Sequence, residues 1–155
     1  MRVMYALSVV LLTGACSDLA RSPAHAGADA QVQTLGTVEV TARLVEVPEG
    51  AIFKRDLYDY ATILKYEVVT VHRGALKQGA VIYVGQYNPW KPRAAAADRK
   101  APNLGGNARQ FHAGRLQRLA LATPLDDFFM GGLVDKYFGR RAGPAYWAVW
   151  TNDAD

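Results

Sequence analysis

"DYATILKYEVVTVHRGALKQGAVIYVGQY", residues 59–87, decides the fold. Its first arm, residues 59–72, is dense in β-branched and aromatic side chains, the types that fit a pleated, half-buried surface. Residues 73–79, RGALKQG, read as a turn, and residues 80–87 return as a second strand. The stretch therefore predicts a long β-hairpin. Gly85, inside the returning arm, predicts a bend or bulge there.

Upstream, residues 36–47, GTVEVTARLVEV, alternate. Val38, Val40, Ala42 and Leu44 point one way; Thr37, Glu39, Thr41 and Arg43 point the other. Val45 and Val47 break that phase, which predicts a bulge, and Pro48, Glu49 and Gly50 end the strand. Downstream, residues 115–122, RLQRLALA, make a further strand of uncertain phase. Residues 145–151, AYWAVWT, make the last one, with Trp147 and Trp150 expected on opposite faces.

Residues 123–141 predict a short or broken helix. Thr123 caps it, Pro124 takes the first helical position, and Asp126 and Asp127 face the positive end of the dipole. Leu125, Phe129, Leu133 and Tyr137 recur at four-residue spacing. Gly131 and Gly132 oppose the helix, at a cost of up to about 2 kcal/mol for the pair relative to Ala. Residues 88–113 form a connection too long for a hairpin loop, with one helical turn expected over residues 94–97. The order is strand, strand, strand, long loop, strand, helical segment, strand. It predicts a mainly β fold: a small five-stranded OB-like Greek-key barrel with one short helix and a long loop.

Residues 66–74, YEVVTVHRG, then a turn, a strand and residues 111–116, FHAGRL, resemble netrin-like domains and their bacterial relatives. The resemblance spans residues 36–122 and implies a β-barrel of the same OB type.

The start of the chain carries an address. Residues 3–15, VMYALSVVLLTGA, match a secretory signal in length and fall short of the roughly 20 residues of a spanning helix. Thr13, Gly14, Ala15 and Cys16 resemble the bacterial lipoprotein box, which implies a signal peptide over residues 1–15 and lipidation of Cys16. Ser17 after the cysteine is, in that family, compatible with outer-membrane sorting. The competing site is Ala24, His25 and Ala26, an A-x-A pattern that ends the signal at residue 26. Residues 16–33 are then a flexible tether and residues 34–155 a single domain. The expected location is the bacterial cell envelope, on the periplasmic side of the outer membrane, held only by the N-terminal lipid. The alternative is a soluble periplasmic or secreted protein.

Composition excludes several chemistries. Serine occurs only at Ser8, Ser17 and Ser22, and cysteine only at Cys16, so the domain holds neither nucleophile of the serine and cysteine hydrolases. His72 and His112 are its only histidines, too few for a three-His zinc site, and no phosphate loop is present. No cofactor or metal is implied. Asp56 and Asp59 could lie together near a strand start, without the spacing that pairs carboxylates across a glycosidase cleft.

The basic character is local. The chain carries a net charge of +4, and an excess of that same size lies within residues 86–113. There Lys91, Arg93, Arg99, Lys100 and Arg109 face a single acid, Asp98. Tyr87 and Trp90 flank the loop's start and His112 its end. Cations beside aromatics stack on sugars and attract carboxylate or phosphate groups. The candidate ligand site is Tyr87, Trp90, Lys91, Arg93, Arg99, Lys100, Arg109 and His112. The expected function is a non-catalytic binding or assembly module for an anionic polysaccharide, a lipid or an envelope protein. Export argues against nucleic acid as the partner. The alternative is a hydrolase or lyase acting on envelope polysaccharide, recognisable by a histidine bonded to an acid in a deep cleft.

Overall fold

The computed structural model describes residues 30–52, 58–128 and 131–154. Cys16 and the rest of the export signal, Asp56 and Phe129 lie outside them. The elements are α1 (Ala30–Thr34), β1 (Val38–Glu46), β2 (Ala61–Arg73), β3 (Val81–Tyr87), β4 (Leu116–Ala122), β5 (Leu133–Val134) and β6 (Ala145–Asp153). The predicted hairpin forms as β2 and β3, in register from Ala61 opposite Tyr87 to Glu67 opposite Val81.

Five strands close a barrel in the cyclic order β1, β4, β6, β3, β2. All its pairings are antiparallel except β3 with β6, which is parallel. This is the OB-like barrel the strand order predicts. Closure depends on the length of β2. Its C-terminal part pairs with β1 and its N-terminal part with β3, so one strand bends around two sides of the barrel. The register shift between Leu44 and Glu46 lies where Val45 breaks the alternation.

The barrel interior follows the strand periodicity. Val38, Val40, Ala42 and Leu44 meet Leu64, Tyr66, Val68, Ile82, Val84, Leu119 and Leu121 in one buried cluster, and Phe111 joins it from the long loop. Full burial of each Val, Leu, Ile or Phe among them contributes about 1.5–3 kcal/mol before chain entropy is counted. The Tyr66 hydroxyl donates to Gln117 Oε1 at 2.8 Å, and Gln86 Nε2 donates to Thr151 Oγ1 at 3.2 Å, two buried hydrogen bonds that cross between strands.

Three expectations are corrected. Among the described residues of 123–141 no α-helix forms: Leu125–Asp127 make a 3-10 turn without a side-chain cap, and Leu133–Val134 form β5. The glycine pair makes a helix costly, while the edge of β2 offers unpaired backbone. The Ala61 N–H donates to the Gly132 carbonyl at 2.8 Å, and β5 continues the pairing in parallel. Leu125 and Tyr137 still reach the barrel, packing with Ile63 and Tyr83 on its outer face.

Second, Gly85 makes no bulge; a Cβ there would lie 2.8 Å from the Leu125 side chain, so its smallness admits a close contact. Third, Trp147 and Trp150 share a side. A register shift pairs Ala120 with Trp150 but Leu121 with Ala148, and both rings line one cleft.

The short helix is α1, four of whose five residues fall in the expected tether. Val32 is buried, and the Arg73 guanidinium donates to the carbonyls of Gln33 and Leu35. No helix among the described residues is long and apolar enough to cross a membrane.

Candidate functional site

The long loop divides into two halves with opposite roles. The first half is an anchor. At the exit of β3, Asn88 takes a left-handed backbone with φ +46°, which asparagine tolerates well. Its side-chain amide donates to Asp59 Oδ1 at 3.0 Å and to the Ala96 carbonyl at 3.3 Å. The chain then turns through a 3-10 turn at Arg93–Ala95.

Arg93 points inward and is 2% exposed. Its Nη2 donates to the carbonyls of Tyr87 at 2.7 Å, Asn88 at 2.8 Å and Lys91 at 3.3 Å. Its guanidinium carbon lies 5.1 Å from the centre of the Phe111 ring. Burial pulls its pKa down to about 10, still above neutrality, so the group remains a cation.

Tyr87 is also buried, and its hydroxyl donates to Asp98 Oδ2 at 2.7 Å. Asp98 Oδ1 accepts from the backbone N–H groups of Lys100 at 2.7 Å and Ala101 at 3.0 Å. Burial raises the Asp98 pKa, but these donors outweigh it and hold the carboxyl below its usual 3.8.

The second half runs beside β6. The Gly105 N–H donates to the Val149 carbonyl, the Thr151 N–H to the Gly105 carbonyl, and the Ala108 N–H to the Thr151 carbonyl. Gly105 and Gly106 make this possible. A Cβ would lie 2.4 Å from the Trp150 ring at the first and 1.9 Å from the Thr151 oxygen at the second.

Beyond them Arg109, Gln110 and His112 emerge exposed. They are shared by two adjoining hollows of about 550 and 360 Å³, which together make a groove. One end is apolar, with Ile52, Pro89, Trp90 and Phe111. The other is charged, with Arg115 and Asp153, which pair at 3.8 Å.

Trp90 is held against Tyr60, ring centres 4.5 Å apart. Lys91 Nζ stands 5.8 Å from the Trp90 ring centre and 3.3 Å from Asp59 Oδ1. Neither histidine meets an acid in its side-chain hydrogen bond: His112 Nε2 bonds Gln110 Oε1 at 2.8 Å and His72 Nε2 bonds Thr41 Oγ1 at 2.8 Å. Among the described residues no group of three His, Cys, Asp or Glu comes together to hold a metal.

The expected ligand site is thus partly assembled. Trp90, Arg109 and His112 meet in the groove, with Lys91 beside Trp90. Tyr87 and Arg93 are corrected from surface to interior: both are buried, and Arg93 bonds backbone carbonyls. Arg99 and Lys100 are exposed, but Lys100 lines another cleft, which shares no residue with the groove. Arg115 and Asp153 escape sequence reasoning because one stands just before β4 and the other ends β6, and only the pairing of those two strands brings them together.

The groove can stack a flat, weakly polar face on Trp90 and hold an anionic group on Arg109 and Arg115. No family model, no curated protein and no solved structure matches this chain.

Proposed function

We propose that this barrel is a non-catalytic binding module of the bacterial envelope, tethered through Cys16, and that its ligand is an anionic glycan. One observation carries the reading: the groove sets an aromatic ring, Trp90, at one end and the exposed cations Arg109 and Arg115 toward the other. A sugar ring offers both a face to stack and, when acidic, a carboxylate for a guanidinium. The open groove suits a chain lying along it. The amide and hydroxyl partners of His112 and His72 support binding over the hydrolase or lyase alternative, since a general base needs an orienting group and a reacting proton within reach.

Polygalacturonate is the test ligand and dextran the neutral control. Polygalacturonate should bind with an affinity that falls as salt rises. Changing Arg109 and Arg115 together to Ala should weaken binding by about tenfold or more, since each hydrogen bond to a charged group contributes roughly 1.5–3 kcal/mol. An affinity equal for dextran, or indifferent to both the double change and salt, would sink the reading. The tether has its own test: Cys16→Ala should release the protein from membranes. Unaltered fractionation would favour cleavage after Ala26.

A further inference from the structure

A separate concavity lies elsewhere, a cleft of about 690 Å³ within the usual range for small-ligand sites. Leu104, Trp147, Val149 and Trp150 line it, with Phe128 at its edge and 47% exposed. Lys100 is the one charged side chain among its described lining residues. Its fixed wall is the Trp150 ring. Gly105 pairs with Trp150 in a parallel bridge, and a Cβ on Gly105 would come within 2.4 Å of the ring. The indole therefore lies directly on the Gly105 backbone while also lining the cleft.

We propose that this cleft is a second binding site, for a free single-chain amphiphile with an anionic head, of the fatty-acid class. The apolar body would lie against Leu104, Val149 and the Trp150 ring, where burial of its surface drives association. The head would meet Lys100, whose charge no acid in the cleft's described lining offsets. A free amphiphile fits better than a bilayer surface because the apolar wall is recessed. Of its lining, only Phe128 is a strongly exposed large hydrophobic side chain. The site is independent of the glycan groove, and either proposal can fail alone.

The test is calorimetric titration of sodium dodecanoate, below its micelle concentration, into the full chain. Dodecanol is the uncharged control and anilinonaphthalene sulfonate the fluorescent competitor. One saturable site is expected, with the fluorophore displaced. Lys100→Gln should weaken dodecanoate by about tenfold and leave dodecanol unchanged. Phe128→Ser should weaken both by about tenfold. Both changes are at exposed positions, so an unchanged melting temperature will verify that each variant folds. Non-saturable uptake, dodecanol binding as tightly as dodecanoate, indifference to both substitutions, or binding only to anionic vesicles would each overturn the proposal.

Discussion

Arg93 and Arg109 carry the same charge on the same loop, yet the fold uses them in opposite ways. Arg93 is enclosed and donates to three carbonyls of the turn that precedes and contains it. Arg109 is exposed on the rim of the groove. The difference lies in the backbone around them. The left-handed turn at Asn88 gathers carbonyls that strand pairing does not satisfy, and a planar guanidinium can serve several acceptors at once. Around Arg109 the backbone has bonded to β6 instead, through Gly105 and Ala108. A cation-rich loop is therefore one structural anchor followed by one exposed edge.

The largest effect expected from breaking this contrast is at Arg93. Arg93→Met removes a donor from the buried Tyr87 and Asn88 carbonyls and the half-buried Lys91 carbonyl, and should cost roughly 3 kcal/mol. Arg93→Lys, with a compact head that reaches fewer acceptors, should cost less. Arg109→Met should stay within about 0.5 kcal/mol, as surface changes usually do. Urea unfolding midpoints measure all three. Equal midpoints for the Arg93 and Arg109 variants would erase the distinction between anchor and edge.

A smaller effect is expected where the two halves join. Gly105→Ala places a methyl against the Trp150 ring, and forcing a carbon into a packed contact costs about 1–3 kcal/mol. The ring must move to admit it, so near-ultraviolet circular dichroism should change along with the urea midpoint. A lowered midpoint with an unchanged aromatic spectrum would show that the backbone yields instead.

The hairpin was legible because β2 and β3 concentrate β-branched and aromatic residues on either side of a glycine-bearing turn. The inward set of β1 was legible because Val38, Val40, Ala42 and Leu44 keep strict alternation. Residues 123–141 misled because four-residue spacing measures only a local preference. The competing partner, the free edge of β2 at Ala61, lies far away in sequence. Trp147 and Trp150 misled for a similar reason, since the register shift that puts them on one side involves the partner strand β4.

At the site, Trp90, Arg109 and His112 were legible as an aromatic and cations on one loop. Arg93 was not, because composition counts charges without the carbonyls that draw one inward. Arg115 and Asp153 become neighbours only when β4 pairs with β6.

The smallest effect sharpens the contrast from the anchor side. Asp98 fastens the first half of the loop by accepting from the Tyr87 hydroxyl and from the N–H groups of Lys100 and Ala101. Its folded pKa lies below the unfolded value near 3.8. The unfolded state therefore binds the proton first as pH falls, so this carboxylate's contribution is complete above that value and is lost through the folded pKa. The group is partly exposed, so the effect on global stability is modest and the readout should be local. Hydrogen exchange at the Lys100 and Ala101 amides should report it, after correction for intrinsic exchange rates. Protection should fall in acid in the native chain. In Asp98→Asn protection should be lower at neutral pH and nearly level across the acid range, because the amide keeps an acceptor but not the charge. The Ala108 amide, bonded to the Thr151 carbonyl, should keep its protection throughout. If it faded together with Lys100 and Ala101, the two halves would open as one unit.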